Sequence, residues 1–369
     1  MDISKNMQSK LNFSSEVYQQ LSRQLSELDT FKGSWKIRVS QQGKYLKELH
    51  KIASIESTGS STRIEGASLT DKEVKKLLAS NKTTQFESQD QQDVAGYYEA
   101  LEVILDNYAE IDISERHVHQ LHRILLKYSY KDQPNRGSYK QSSNQVPANY
   151  PDGTRRVLFD PTPADRTPAE MPQLIGWLNK RIEKKDMHPL VFIAGFVYEF
   201  LSIYPYQVGN SRLSMLLTNL LMLKQGYDFI QYISFEKLIE SNRDEYYRVL
   251  IDGQQNRYKD SERINTWVSY FLKSLITLSE HLDAKYETYS NLKTALNKRQ
   301  KQVLDFIRDN EPAQVGDVDK ALAEYYRNTL KKDLAYLVDE KLLIRTGNRK
   351  GTRYHISTYS SAFPGINDI

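Results

Sequence analysis

The chain has 369 residues, 39% of them hydrophobic and 11% aromatic, which is enough apolar material for more than one core and excludes global disorder. It contains no cysteine, so disulfides, cysteine metal sites, iron–sulfur ligation and a thiol nucleophile are excluded. Lys and Arg number 51 against 47 Asp and Glu, a formal charge of +4.

In chain order, the first elements read as helices. Val17, Leu21, Leu25 and Leu28 recur at helical spacing, as do Leu46, Leu49 and Ile52. Ser57-Thr58-Gly59-Ser60-Ser61 predicts a break, and a new helix opens near Thr70-Asp71 with Thr70 as cap and Val74, Leu77 and Leu78 on one face. Further helices carry Tyr97, Leu101, Ile104 and Leu105, and then His117 to Tyr128. Residues 131–167 change character, with prolines at 134, 147, 151, 161 and 163. Asp152-Gly153, between Tyr150 and the run Val157-Leu158-Phe159, predicts a hairpin turn in a partly extended flap. A connection this long in a compact protein is usually functional.

Helices resume at Pro168, with Met171, Leu174, Trp177 and Leu178 sharing a face. Pro189 stands at a favourable first-turn position, and Ile193, Phe196, Val197 and Phe200 make a largely buried helix. Pro205 ends it, and Gly209-Asn210 permits positive φ before a second apolar helix through Leu213, Leu216, Leu217, Leu220 and Leu221. A helix from Ser261 to Leu292 bridges to the last segment. There Val303, Phe306 and Ile307, then Val315, Val318 and Leu322, then Leu330, Leu334, Leu337 and Val338 mark three helices. Leu343-Ile344-Arg345 and Tyr354-His355-Ile356 read as strands around Gly347-Asn348-Arg349-Lys350-Gly351, giving the order of a winged helix-turn-helix. Residues 296–358 hold 13 Lys or Arg against 9 Asp or Glu, so the whole excess of positive charge lies there. That points to an acidic partner such as DNA. Arg327, Asn328, Thr329, Lys331 and Lys332 are the base-reading candidates, and Arg349, Lys350 and Arg353 the wing candidates. The alternative use of such a module is protein contact or a homodimer.

The corner between the two apolar helices carries the chemistry. A Gly-Asn-Ser-Arg run that opens a helix presents free backbone N–H groups and the positive end of the helix dipole, and Arg212 reaches the same place. Gly209, Asn210, Ser211 and Arg212 are therefore the candidate nucleotide- or phosphate-binding residues. The bland alternative is a plain helix–helix corner. Tyr204 packs with Pro205 and Tyr206 at the mouth of the loop, or acts beside a bound phosphate. His119 and His122 have a spacing that puts two imidazoles on one helix face, but no carboxylate signature accompanies them. They read as solvated or capping residues rather than metal ligands. No metal site is assigned.

The stretch Tyr204-Pro205-Tyr206-Gln207-Val208-Gly209-Asn210-Ser211-Arg212-Leu213-Ser214-Met215 resembles the signature of the Fic family: His-Pro-Phe, any residue, Asp or Glu, Gly-Asn-Gly-Arg, two residues, Arg. His188-Pro189-Leu190 is similar to the family's upstream helix start. Gly137-Ser138-Tyr139-Lys140 through Asn144-Gln145-Val146 is similar to its flap, and Ser234-Phe235 with Arg243 to Leu250 to the helix after the core. Ser61-Thr62-Arg63-Ile64-Glu65-Gly66 matches the inhibitory pattern of Ser or Thr, three residues, Glu, then Gly or Asn. The likeness covers roughly residues 50–255.

The resemblance implies a mainly helical fold: an N-terminal helical region with the inhibitory motif (1–110), a Fic core (111–285) with flap (131–167) and signature loop (204–215), a winged helix (286–358) and a tail (359–369). It also implies AMP transfer from ATP to a hydroxyl of a target protein. That chemistry needs a base near neutral pKa, a carboxylate for a divalent metal, and donors for the transferring phosphate. Here the base position is Tyr204 and the metal position is Val208, with Ser211 and Met215 replacing the second Gly and the last Arg. A phenol with an ordinary pKa of about 10 is protonated at neutral pH. ATP or another nucleotide is expected to bind, Val208 argues against magnesium, and AMP transfer is expected to be weak, altered or lost. The alternative is a DNA-binding regulator that uses the Fic region as a sensor or scaffold. Glu65 is expected to pair with Arg212 or to be satisfied by backbone. Met1-Asp2-Ile3-Ser4-Lys5-Asn6-Met7 has no apolar leader core, and no run of about 18 apolar residues occurs, so a cytoplasmic location without a membrane is expected.

Overall fold

The computed structural model describes residues 3–39, 43–79, 86–149, 153–254, 256–259, 261–340, 342–348 and 351–356. Tyr150, Asp152, Arg349, Lys350 and the tail lie outside them. The chain is mainly helical and divides into two units, Met1–Leu282 and Asp283–Ile369. Among the described residues no helix is long and apolar enough to cross a membrane.

The first unit contains α1 (Ile3–Lys10), α2 (Ser15–Val39), α3 (Gly43–Ile64), α4 (Asp71–Ala79), α5 (Gln89–Asn107) and α6 (Glu115–Leu125). The hairpin β1 (Val146–Asn149) and β2 (Arg155–Phe159) follows. Then come α7 (Thr167–Lys184), α8 (Pro189–Ile203), α9 (Asn210–Lys224), α10 (Phe235–Ser241), α11 (Arg243–Gln254) and α12 (Asn265–Ala295), which runs past Leu282. The core is built on α8 and α9. Every residue of α8 from Leu190 to Ile203 is buried, so its apolar run is covered on all sides rather than along one stripe. The His188 side chain caps it by accepting from the Leu190 N–H at 3.2 Å, with Pro189 in the first turn. Burying one Leu or Phe contributes about 1.5–3 kcal/mol, so this helix anchors the corner that follows it.

One charged residue interrupts that run. Glu199 is fully buried and pairs with Lys10 from α1 and, at 3.3 Å, with Arg257. Burial alone would raise its carboxyl, but Arg257 and Lys10 hold it below the ordinary value. Glu262 adds a second carboxylate 3.0 Å from Lys10. The network ties the first helix to the centre of the fold.

The break expected at Ser57–Ser61 is not there: α3 runs unbroken to Ile64. Tertiary contacts override the local propensity. Thr58 and Thr62 donate their hydroxyls back to the Ser54 and Thr58 carbonyls, and Gly59 lets the Arg63 guanidinium lie across the helix. A Cβ at Gly59 would sit 2.6 Å from Arg63 Nη1. The helix opening at Thr70 holds, with Thr70 and Glu73 forming a reciprocal cap. The flap strands pair antiparallel, from Val146 opposite Phe159 to Asn149 opposite Arg155.

The second unit has α13 (Lys298–Asp309), α14 (Val315–Ala321), α15 (Arg327–Asp339) and the antiparallel pair β3 (Leu343–Thr346) and β4 (Arg353–Ile356). Val303, Ile307, Val318, Leu330, Leu334 and Leu337 form its core with Leu343 and Tyr354. A reciprocal Asn297–Gln300 cap starts α13.

Candidate functional site

The loop between α8 and α9 is held through several of its carbonyls. Tyr204 ends α8 in the left-handed region, φ +51°, a conformation costly for a side chain with a Cβ and sustained by the packing around it. Ile203 O accepts from Lys140 Nζ at 3.0 Å and Pro205 O from the Lys140 N–H at 2.9 Å. Tyr206 O accepts from Asn144 Nδ2 and Asn210 Nδ2, at 2.8 and 2.7 Å. Asn210 also takes the Tyr206 N–H on its Oδ1 at 2.8 Å, so one buried amide closes the turn. Gly209 caps α9 at φ +76°, and a Cβ there would press on Leu125 at 3.3 Å.

His122 completes the clamp. Its Nδ1 accepts the Gly137 N–H at 2.9 Å, which leaves the proton on Nε2 to be donated to Val208 O at 3.0 Å. The ring stacks on Tyr206 with 3.8 Å between centroids. Burial pushes its pKa down to about 3, so the imidazole is neutral at physiological pH. This corrects the reading of His122 as solvated or capping: it is a buried tie between α6, the flap and the loop. His119 meets the Tyr206 phenol at 2.8 Å, and His117 meets its cap, Ser114, at 3.0 Å. Among the described residues no group of three or more His, Cys, Asp or Glu could hold a metal.

On the other side of the loop lies a cavity of about 440 Å³. Tyr204, Val208, Gly209, Ser211 and Arg212 all line it, as do Glu65, Gly66 and Tyr247. Tyr204 and Tyr206 therefore do not pack together at the mouth, as one reading of the sequence had it. Tyr204 and Ser211 both line the cavity, and Tyr206 turns to the histidines. Burial, reinforced by Glu65, pushes the Tyr204 phenol above the ordinary tyrosine value, so it stays protonated and supplies neither a base nor a phenolate.

The chain's own Glu65 carboxylate meets the start of α9. Glu65 Oε1 accepts the Arg212 N–H at 3.3 Å, and Oε2 lies 2.6 Å from Arg212 Nε. Both expected partners, guanidinium and backbone, are thus used at once. Gly66, at φ +106°, turns the chain so that Glu65 can project from just beyond α3. Ser61, inside α3, is buried against the Tyr97 phenol. Asp93 on α5 takes the second face of the guanidinium at 3.0 Å and is itself steadied by Gln89 at 2.9 Å. Burial disfavours charge on Arg212, yet Glu65 and Asp93 hold its pKa above the ordinary arginine value. Met215 is buried one turn further on. Val208 has no ligating atom on its side chain, and its carbonyl accepts from His122 Nε2.

In the second unit Arg327, Asn328, Lys331, Lys332 and Arg353 are exposed, while Thr329 is half-buried. Arg327 lies 3.4 Å from Asp319. Tyr326, 88% exposed at the cap of α15, joins this face without having been singled out by the sequence.

These elements define a class: a helical domain in which a Gly-Asn corner between two buried helices faces a carboxylate delivered from an upstream helix. Residues 112–222 match the Fic/DOC family model, and the chain carries a Fic/DOC family domain there. The protein adenylyltransferase Fic of Drosophila melanogaster is 25% identical over 207 residues, 56% of this chain and 39% of that protein. The Drosophila persimilis protein of the same name is 24% identical over 215 residues, 58% of this chain and 40% of that protein. The chain thus spans about two fifths of the length of the curated relatives it matches. A Fic family protein from Desulfovibrio desulfuricans superposes with a TM-score of 0.61 at 20% identity, covering 94% of this chain and 97% of that one. A Fic-domain signaling protein from Bacteroides thetaiotaomicron gives 0.57 at 24% identity, covering 69% and 94%. Fic-1 from C. elegans gives 0.56 at 19% identity, covering 73% of each chain. These likenesses show the fold.

Proposed function

We propose that the 204–212 corner is a nucleotide or phosphate site of Fic type, held shut by Glu65, in which transfer of AMP from ATP to a protein is weak or lost. The observation that carries this reading is the double engagement of Arg212 by Glu65 and Asp93 beside a protonated Tyr204. An incoming anion has to displace Glu65. No side chain at the base position accepts a proton at neutral pH, and none at the acid position coordinates a metal. Loss of a general base alone costs about 10²- to 10⁴-fold in rate. The relatives' name, protein adenylyltransferase, gives the reaction against which this loss is read.

The test is transfer from labelled ATP with magnesium to the protein itself and to a lysate. The wild type is expected to label nothing above background. Tyr204→His, Val208→Glu, Ser211→Gly and Met215→Arg together are expected to stay nearly silent until Glu65→Gly is added, because Glu65 still occupies Arg212. Efficient labelling by the wild type would overturn the reading.

A second reading is favoured by the face of α15: the second unit binds DNA as a winged helix. Arg327, Asn328, Lys331 and Lys332 are exposed there beside Tyr326, in the segment that holds the chain's whole excess of positive charge. The two activities are compatible in one chain.

A further inference from the structure

Resting on the reading of the 204–212 corner as a phosphate site, we infer that its ligand is a nucleoside monophosphate, taken without a divalent metal, whose phosphate replaces the Glu65 carboxylate on Arg212. Glu65 marks the seat. It presents two oxygens, one to the Arg212 N–H at 3.3 Å and one to Arg212 Nε at 2.6 Å. A single phosphate presents the same pair of oxygens to the same two donors.

Beyond that seat, the described cations on the cavity wall are Lys131 and Arg155, each matched by a lining carboxylate. Met215, one turn along α9, is buried and adds no cation. Val208, on the cavity wall, has no ligating side-chain atom, and its carbonyl already accepts from His122 Nε2 at 3.0 Å. The charges lining the cavity point the same way. Among the described residues they are Arg212, Lys131 and Arg155 against Glu65, Asp90, Asp93 and Asp132. With Glu65 displaced, cations and carboxylates are equal in number. A monoester of roughly −1.5 to −2 then meets a locally neutral wall, which offers a second or third phosphate no net positive charge. The volume of about 440 Å³ falls within the range of small-ligand sites, which suits a nucleoside on the ester.

Calorimetric titration of the full chain decides this, using the wild type, Glu65→Ala and the isosteric Glu65→Gln, each checked for folding by thermal unfolding. AMP, ATP and inorganic phosphate are titrated with magnesium and with EDTA. The expected result is that both variants bind AMP at least 10-fold more tightly than the wild type, that magnesium changes this less than twofold, and that ATP binds no more tightly than AMP. ATP binding at least 10-fold tighter than AMP, or only with magnesium, would overturn the monophosphate assignment and leave the site reading standing. Inorganic phosphate binding as tightly as AMP would overturn the nucleoside part. Failure of all three ligands on folded variants would overturn the site reading itself.

Discussion

The imidazole of His122 is the residue on which the corner's geometry depends most, and its chemistry gives a signed pH dependence. Its folded pKa of about 3 lies below the ordinary 6.5, so between those values the unfolded chain binds more protons than the folded one. Stability therefore rises with pH across that window and is lost as the pH falls from neutral. At pH 5.5 this one group costs about 1.4 kcal/mol relative to pH 7.5. Urea unfolding at the two pH values should show the wild type losing that much more than His122→Gln; equal losses would contradict the neutral clamp. Asn210 makes a second residue-scale case. Asn210→Ala leaves the buried Tyr206 N–H unpaired, and urea unfolding should register a loss of about 2 kcal/mol. The Gly-Asn-Ser-Arg run announced this corner in the sequence, because a left-handed residue before an N-terminus needs those residue types. Asp93 and the role of His122 were not legible. Asp93 reaches Arg212 from more than a hundred residues upstream, and no local spacing encodes such a contact.

The helix α3 shows what sequence reading misses at the scale of an element. Its Ser-Thr-Gly-Ser-Ser stretch has poor helix propensity, yet Thr58 and the following Thr62 bond back to the helix and Arg63 spans it. Arg63 donates to both oxygens of Glu240 at 2.6 and 3.0 Å, to Leu69 O at 2.8 Å and to Asp71 at 2.8 Å. These bonds fix the turn that projects Glu65 two residues later. Arg63→Ala should lower stability in urea by about 2–3 kcal/mol, since it leaves a part-buried Glu240 without its main partner. Arg63→Lys should recover less than half of that, because an ammonium lacks the two-pronged contact. A loss under about 0.5 kcal/mol for Arg63→Ala, the size of an ordinary surface change, would contradict the clamp. The helix α8, by contrast, was legible throughout, since burial on all sides writes itself as a nearly unbroken apolar run, and α9 was legible from its recurring leucines.

At the scale of the whole molecule the chain is two units, and the sequence marked the second by its charge and by three short helices followed by two strands. Its expected contact with DNA makes a quantitative claim. In gel shifts with the full chain, log affinity should fall linearly with log salt, and Lys331→Ala with Lys332→Ala should reduce that slope by about 1 per phosphate contact removed. A salt-insensitive shift, or none, would contradict it. In the first unit the central claim is that Glu65 is the anion seated on Arg212. A double-mutant cycle between Glu65→Gln and Arg212→Gln in urea unfolding measures that contact most directly. A coupling on the order of 1 to 2 kcal/mol is the expected result, and additive losses within about 0.3 kcal/mol would show that the two side chains do not lock the site.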